Sequence, residues 1–154
     1  MLAPARVSNW NLPTFTKSVL INAPVAKVFG FHERDDALAL LTPAFPPVRV
    51  ISRTGGIQVG ARVELRVGFF RWVALHTAYE KNRLFMDEQI EGPFAQWIHR
   101  HEFEAVDGQT RLTDSVEYRL PGGPLVNTLL GWAPKPGLAQ MFAHRHRVTK
   151  QFCE

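Results

Sequence analysis

The chain has 154 residues, 45% of them hydrophobic and 21% charged, with a formal net charge of +4. That is one domain's length with an ordinary globular composition, enough to bury roughly 70% of the unfolded surface. A single cysteine, Cys153, excludes an internal disulfide, and no apolar run reaches the roughly 20 residues of a membrane span or the pattern of a signal peptide.

These features predict a cytoplasmic protein without stable membrane anchoring, folded as a single domain over residues 1–154 with an N-terminal arm at 1–13. Basic residues are scattered except in HRHRVTK, from His144 to Lys150. No nucleic-acid-binding signature accompanies that run, so it reads as a solvated helix face and no nucleic-acid partner is expected.

Thr14 to Ile21 alternates and predicts a first strand. Pro24 suits a first helical residue, with Asn22 as a cap candidate, and Val25, Val28 and Phe29 share one helical face. A second short helix is expected from Glu33 to Leu41, with Leu38 and Leu41 inward, ended by Thr42-Pro43 and Pro46-Pro47. Strand-like segments follow without interruption. Val48 to Ser52 is short. Arg62 to Phe69 alternates most cleanly, with Val63, Leu65, Val67 and Phe69 on one side and Gly68 as a candidate bulge or kink. Arg71 to Lys81, Phe85 to Glu91, Ala95 to Ala105 and Gln109 to Leu120 complete the run, and Pro121-Gly122-Gly123-Pro124 stops it. Leu125 to Trp132 is a short apolar helical piece. From Gly137 onward Leu138, Met141, Phe142, Arg145, Val148 and Phe152 recur at helical spacing, which predicts a long terminal helix.

Consecutive hairpin-linked strands imply an antiparallel sheet, and helices near both ends of the chain imply an α+β fold. Such a sheet covers one face, for which the terminal helix is the natural partner. A curved sheet of six to seven strands around one helix leaves room for a hollow between them, with bends at Gly60, Gly68 and Gly92.

The stretch from Phe85 to Tyr118 holds the chemistry. With Asp107-Gly108 as a two-residue hairpin turn, Val106 pairs with Gln109. Counting back sets Phe103 opposite Leu112, His101 opposite Asp114, His99 opposite Val116 and Trp97 opposite Tyr118. The turn around Gly92-Pro93-Phe94 leaves the next register open, since Glu91 can close it against Ala95, Gln96 or Trp97. The last is preferred because it sets Gln89 against His99, Asp87 against His101 and Phe85 against Phe103. It predicts a row Asp87–His101–Asp114, with neighbours about 5 Å apart at Cβ. Two carboxylates would raise the His101 pKa and burial would lower it. The cluster reads either as a self-satisfied polar group that locks register or as the orienting end of a pocket. His76, on the strand before, competes with Val73, Leu75 and Tyr79 for the inward side. His99-x-His101 beside aspartates is a conceivable metal set, but neither CxxC nor HExxH accompanies it, so no metal and no cofactor is expected. Neither a GxSxG nucleophile motif nor a phosphate-cradling Gly loop occurs.

The order of elements resembles the helix-grip fold of the START/Bet v 1-like (SRPBCC) superfamily over almost the whole chain. The segments FMDEQIEGPFAQWIHRHEFE and TRLTDSVEYRLPGGPL resemble a bacterial subgroup of small ligand-binding members, sometimes labelled cell-division-inhibitor-like, whose domains accompany a nucleotide-sugar-epimerase-like protein. The resemblance rests on Phe85, Asp87, Glu88, Gln89, Gly92-Pro93-Phe94, Trp97, His99, His101, Phe103, Asp114, Tyr118, Leu120-Pro121 and Gly123-Pro124. It implies a cavity between sheet and helix that takes a hydrophobic or amphipathic small molecule. Leu138, Met141 and Phe142 would form one wall and Trp97, Phe103, Val116 and Tyr118 the other, with Gln89, His99, His101 and Asp114 as polar contacts and Thr42 to Pro47 as a gate. The alternatives are a polyketide cyclase or dehydratase using His101 with Asp87 or Asp114 as acid/base, and a protein-interaction module. The oligomeric state stays open.

Overall fold

A computed structural model describes residues 12–154, so residues 1–11, most of the expected arm, lie outside it. In chain order the elements are β1 (Thr14–Ile21), α1 (Val25–His32), α2 (Ala37–Leu41), β2 (Val48–Thr54), β3 (Arg62–Val67), β4 (Phe70–Glu80), β5 (Leu84–Glu91), β6 (Gln96–Val106), β7 (Gln109–Arg119), α3 (Gly123–Leu130) and α4 (Lys135–Cys153). The architecture is α+β. All seven strands form one antiparallel sheet in the order β1-β7-β6-β5-β4-β3-β2, so β1 crosses to the far edge and the other six run as a meander. One face is covered by α1, α2 and α4, as expected for a helix-grip fold.

Local chemistry departs from the sequence reading at several ends. Helix α1 begins at Val25 with Pro24 as its N-cap and without a side-chain cap bond. The Asn22 backbone N–H instead meets a Glu154 carboxylate oxygen at 2.9 Å. Only Ala37–Leu41 of the second helix forms. Strand β3 stops at Val67, because Gly68 turns the chain with φ +56° and leaves Phe69 at the hairpin tip, 98% exposed. Phe69 therefore does not share the inward side of Val63, Leu65 and Val67.

The β6–β7 register is the one Asp107-Gly108 dictates: Val106↔Gln109, Phe103↔Leu112, His101↔Asp114, His99↔Val116 and Trp97↔Tyr118. Both turn residues take positive φ, 49° at Asp107 and 79° at Gly108, as a two-residue type I′ turn requires. The β5–β6 register differs from the expected one by two residues. Asp87 pairs with His99 and Phe85 with His101; extended, this is the three-residue closure with Glu91 against Ala95. The cause is Gln89. Its side-chain amide donates to the Phe94 carbonyl at 2.7 Å and accepts from the Phe94 N–H at 3.3 Å, which cinches the turn. A Cβ on Gly92 would sit 2.3 Å from the Gln89 amide oxygen, so a side chain there would displace Gln89 from this position. A two-residue shift preserves side-chain parity, and Asp87 still faces inward.

Strand β4 explains why His76 resisted a sequence assignment. The β4–β5 ladder shifts register between Val73 and Ala74 and again between His76 and Ala78. The first leaves its extra residue on β5, so Trp72, Ala74 and His76 alternate inward without a break; the second leaves Thr77 as an extra residue on β4 and resets the alternation, so Tyr79 faces inward beyond it.

The covered face divides into two clusters. Under α1, Phe29 meets Tyr79, Phe85 and Phe103 edge-on at centroid distances of 5.7, 6.2 and 5.0 Å, with Ile21, Val28, Leu112 and Cys153 closing the same cluster. Toward the start of α4, Trp97, Val116, Tyr118, Leu138 and Phe142 form the second, with Trp72, Phe94 and Met141 packed against it. Full burial of one such aromatic side chain contributes about 1.5–3 kcal/mol.

Candidate functional site

Between these clusters, under β3 to β6, lies a cavity of about 660 Å³. That is ample for a drug-sized or lipid-like molecule. Val63, Leu65, Val67, Trp72 and Ala74 supply the sheet wall, and Leu138 and Met141 of α4 face it. Leu38, Leu41, Thr42, Pro43, Phe45 and Pro46 line the cavity as well. Phe45 is 84% exposed.

The polar side chains gather at one end. Asp87, His99, His101, His76, His32 and Arg145 all line the cavity. Behind them, buried and not lining it, is Asp114. Its Oδ1 lies 3.0 Å from His99 Nε2 and 2.8 Å from His101 Nδ1, and its Oδ2 accepts from His146 Nε2 at 2.6 Å. The His99 and His146 contacts are aligned hydrogen bonds. The His101 contact is off-line, leaving Nδ1 without a hydrogen-bond partner among the described residues. Asp87 Oδ1 stands 3.6 Å from both His99 Nδ1 and His101 Nε2. The two imidazoles stack at 3.8 Å, and His101 also stacks on Phe85 at 4.0 Å.

The electrostatics follow from this packing. Burial opposes ionisation of Asp114, but the His101 charge and hydrogen bonds from the imidazoles outweigh it and hold the carboxyl well below its usual range. Asp87 is likewise held low against burial, by His101 and His99. Burial pushes His101 down, yet the two carboxylates, Asp114 foremost, leave it above its ordinary value. Burial and the neighbouring His101 push His99 down despite its Asp114 bond. His32, whose Nδ1 lies 2.9 Å from the Val28 carbonyl, is lowered by burial to about 4. Arg145 is lowered by burial, offset in part by Asp114 and Asp87, and its Nε has no partner among the described residues.

Of the residues singled out from the sequence, Trp97, His99, His101, Leu138 and Met141 line the cavity together with Asp87 and His76. Phe103, Val116, Tyr118 and Phe142 lie behind it in the packed clusters. Tyr118 donates its hydroxyl to the Gly131 carbonyl, and Gln89 is spent on the turn. The expected row becomes two. Asp87 pairs with His99, and Phe85–His101–Asp114 runs beside it. Three participants were missed. His146 sits 3% exposed within the run read as a solvated face, and its signal was present: Leu138, Phe142 and His146 are spaced i, i+4, i+8. Arg145 was taken for part of the packing stripe. His32, at the end of α1, carries no sequence signal beyond its i+4 spacing from Val28.

A curved antiparallel sheet gripping a C-terminal helix around an apolar cavity defines the helix-grip class. The sequence matches the polyketide cyclase / dehydrase and lipid transport family over residues 21–144, and the chain belongs to that family, within the START/Bet v 1-like SRPBCC superfamily. Among solved structures it is similar to the nucleoside-diphosphate sugar epimerase from Corynebacterium glutamicum, with 30% identity and a TM-score of 0.70, over 89% of this chain and 28% of that one. The chain thus spans little more than a quarter of that relative. A protein from Thermus thermophilus aligns over 92% of this chain and 97% of its own with a TM-score of 0.69 at 16% identity. Ara h 8.0201 aligns over 88% and 96%, with a TM-score of 0.59 at 17% identity. At such identities these two establish fold alone. No protein of curated function matches the sequence.

Proposed function

We propose that the protein binds a hydrophobic or amphipathic small molecule, a lipid or an aromatic polyketide-like compound, in the cavity between sheet and α4. The observation that carries this is the cavity itself. About 660 Å³ of apolar-walled space lies beside a core that is otherwise closely packed, and interiors do not ordinarily leave voids of that size. Its polar groups converge at one end, which suits a molecule with one polar head and an apolar body. The family description, which joins cyclase or dehydrase activity with lipid transport, supports the same class of ligand. Native mass spectrometry of the protein as purified tests it. A co-purified apolar adduct, lost in a Leu65→Trp variant that fills the space, is the expected result. A protein that takes up no apolar compound on soaking contradicts it.

One observation favours a second reading, acid–base catalysis on the bound molecule. His101 and Asp87 both reach the cavity, and Asp114 holds the imidazoles from behind. A base oriented by a buried carboxylate and open to a bound substrate is the arrangement proton transfer needs. Conversion of a bound polyketide-type compound by the wild type, lost in His101→Gln with binding retained, separates catalysis from carriage.

A further inference from the structure

The polar end of the cavity contains a convergence of electron pairs that ligand carriage does not explain. Asp114 is ionised and can only accept hydrogen bonds. It takes the Nε2–H of His99 at 3.0 Å and the Nε2–H of His146 at 2.6 Å. Its Oδ1 stands 2.8 Å from His101 Nδ1, where a lone pair would be repelled, so that nitrogen carries its proton too. These contacts assign the tautomers. On His99, and on His101 once an incoming cation displaces its second proton, the remaining nitrogens, Nδ1 and Nε2, each stand 3.6 Å from Asp87 Oδ1. One donor atom from each of Asp87, His99 and His101 then lies within 4.8 Å of the other two. Such a cluster calls for a cation at its centre.

The spacing says which kind. A shared proton would bring nitrogen and oxygen to about 2.7–3.2 Å. The observed separation is 3.6 Å to each ring. Two donor atoms each about 2.0–2.2 Å from one metal ion, at a tetrahedral angle, stand roughly 3.3–3.6 Å apart. We infer that Asp87, His99 and His101 form a binding site for a divalent first-row transition ion, held by two imidazole nitrogens and one carboxylate oxygen. Two further features fit. All three ligands line the cavity, so the ion's remaining positions open toward whatever the cavity holds, as in sites that act on a bound molecule. Asp114 stands behind, bonded to the far nitrogen of His99 and beside that of His101, as the outer carboxylate of a carboxylate–histidine–metal relay. It is a positioning residue. The inference is independent of which organic ligand the cavity takes.

The test uses the whole chain, stripped with a chelator and titrated with Zn2+, Co2+ and Fe2+ salts with no organic ligand present. Calorimetry is expected to give one ion per chain, and Co2+ to give the intense visible absorption of a low-coordinate nitrogen–oxygen site. Asp87→Asn and His99→Gln are each expected to weaken affinity at least tenfold, and Asp114→Asn by about 10- to 100-fold. His144→Gln, outside the cluster, leaves it unchanged. Imidazole nitrogen resonances give a readout that does not depend on variants folding: Zn2+ shifts His99 Nδ1 and His101 Nε2, while His146 keeps its Nε2–H. The Co2+ band intensity separates a four-coordinate zinc-type site from a six-coordinate iron-type one, which relative affinity does not, since Zn2+ outcompetes Fe2+ at nitrogen–oxygen sites generally. Absence of stoichiometric binding, or binding that survives both Asp87→Asn and His99→Gln, or is lost only in His144→Gln, overturns the inference. Because apolar-probe binding is measured separately, failure here leaves the cavity reading standing, and the reverse holds as well.

Discussion

The same sheet is filled at one end and hollow at the other. Under α1, inward aromatic side chains of β4, β5 and β6 meet Phe29 and are sealed by Ile21, Val28 and Leu112. Under β3 and β4 the inward positions are just as apolar, with Val63, Leu65, Val67, Trp72 and Ala74, yet they face about 660 Å³ of space. The difference lies in what sits opposite. Helix α1 delivers a large aromatic into the first half. Helix α4 is capped by Pro134 and opens with Gly137 and Leu138 in its first turn, and α2 has only five residues, so nothing large enough reaches into the second. The histidine–aspartate cluster stands on the seam, with Phe85 and Phe103 on its packed side and Trp97 on its open side.

The sharpest way to break this comparison is Phe29→Ala. It removes the residue that three other aromatics enclose, and urea denaturation should show a loss of about 3–5 kcal/mol. A loss under roughly 1 kcal/mol would mean the packed end is no better filled than the hollow one. Asp114→Asn comes next. It takes the charge from a buried acceptor of imidazole contacts and leaves those rings poorly paired, which should cost about 3 kcal/mol by the same measurement.

The seam also predicts a pH dependence. His32 titrates at about 4 in the folded protein and 6.5 when exposed, so between those values the unfolded chain binds the extra proton. The His32 contribution should therefore fall as pH drops from 6.5 and level off near 4, by up to about 3 kcal/mol. His32→Phe, which keeps the edge contacts with Phe31 and Phe103, should flatten that acid limb. An unchanged limb would assign it to other groups.

On the hollow side, Leu65→Ala should cost about 1 kcal/mol or less, because the side chain borders open space rather than close neighbours. A cost equal to that of Phe29→Ala would erase the contrast. Smallest of all, Leu129→Ser on α3, at a side chain 61% exposed, should stay within about 0.5 kcal/mol.

Much of this was readable from residue order, and the exceptions have physical causes. The Asp107-Gly108 turn set the β6–β7 register because only one pairing satisfies a two-residue loop. The neighbouring turn did not, because its closure depends on the Gln89 amide folding back on Phe94, a side-chain contact that spacing does not reveal. His76 was ambiguous because a bulge between it and Ala78 puts Tyr79 on the same face, which an unbroken alternation does not allow. His146 was overlooked because charge in HRHRVTK was weighed above helical phase. The buried stripe of α4 runs Leu138, Phe142, His146, Thr149 and Cys153, and Met141 and Arg145, one position earlier in phase, turn to the cavity. Alternation also tells which way a strand residue points, not whether anything meets it there. Filled and hollow halves therefore looked alike in the sequence.

The central claim is that the hollow half is a binding cavity, and one titration addresses it directly. A fluorescent apolar probe such as anilinonaphthalene sulfonate is added to the wild type and to Leu65→Trp, with thermal unfolding of both followed in parallel. The account predicts saturable one-to-one binding by the wild type, and binding weakened at least tenfold in Leu65→Trp at an unchanged or raised melting temperature. Equal affinity in the two proteins would place the probe elsewhere and contradict the claim.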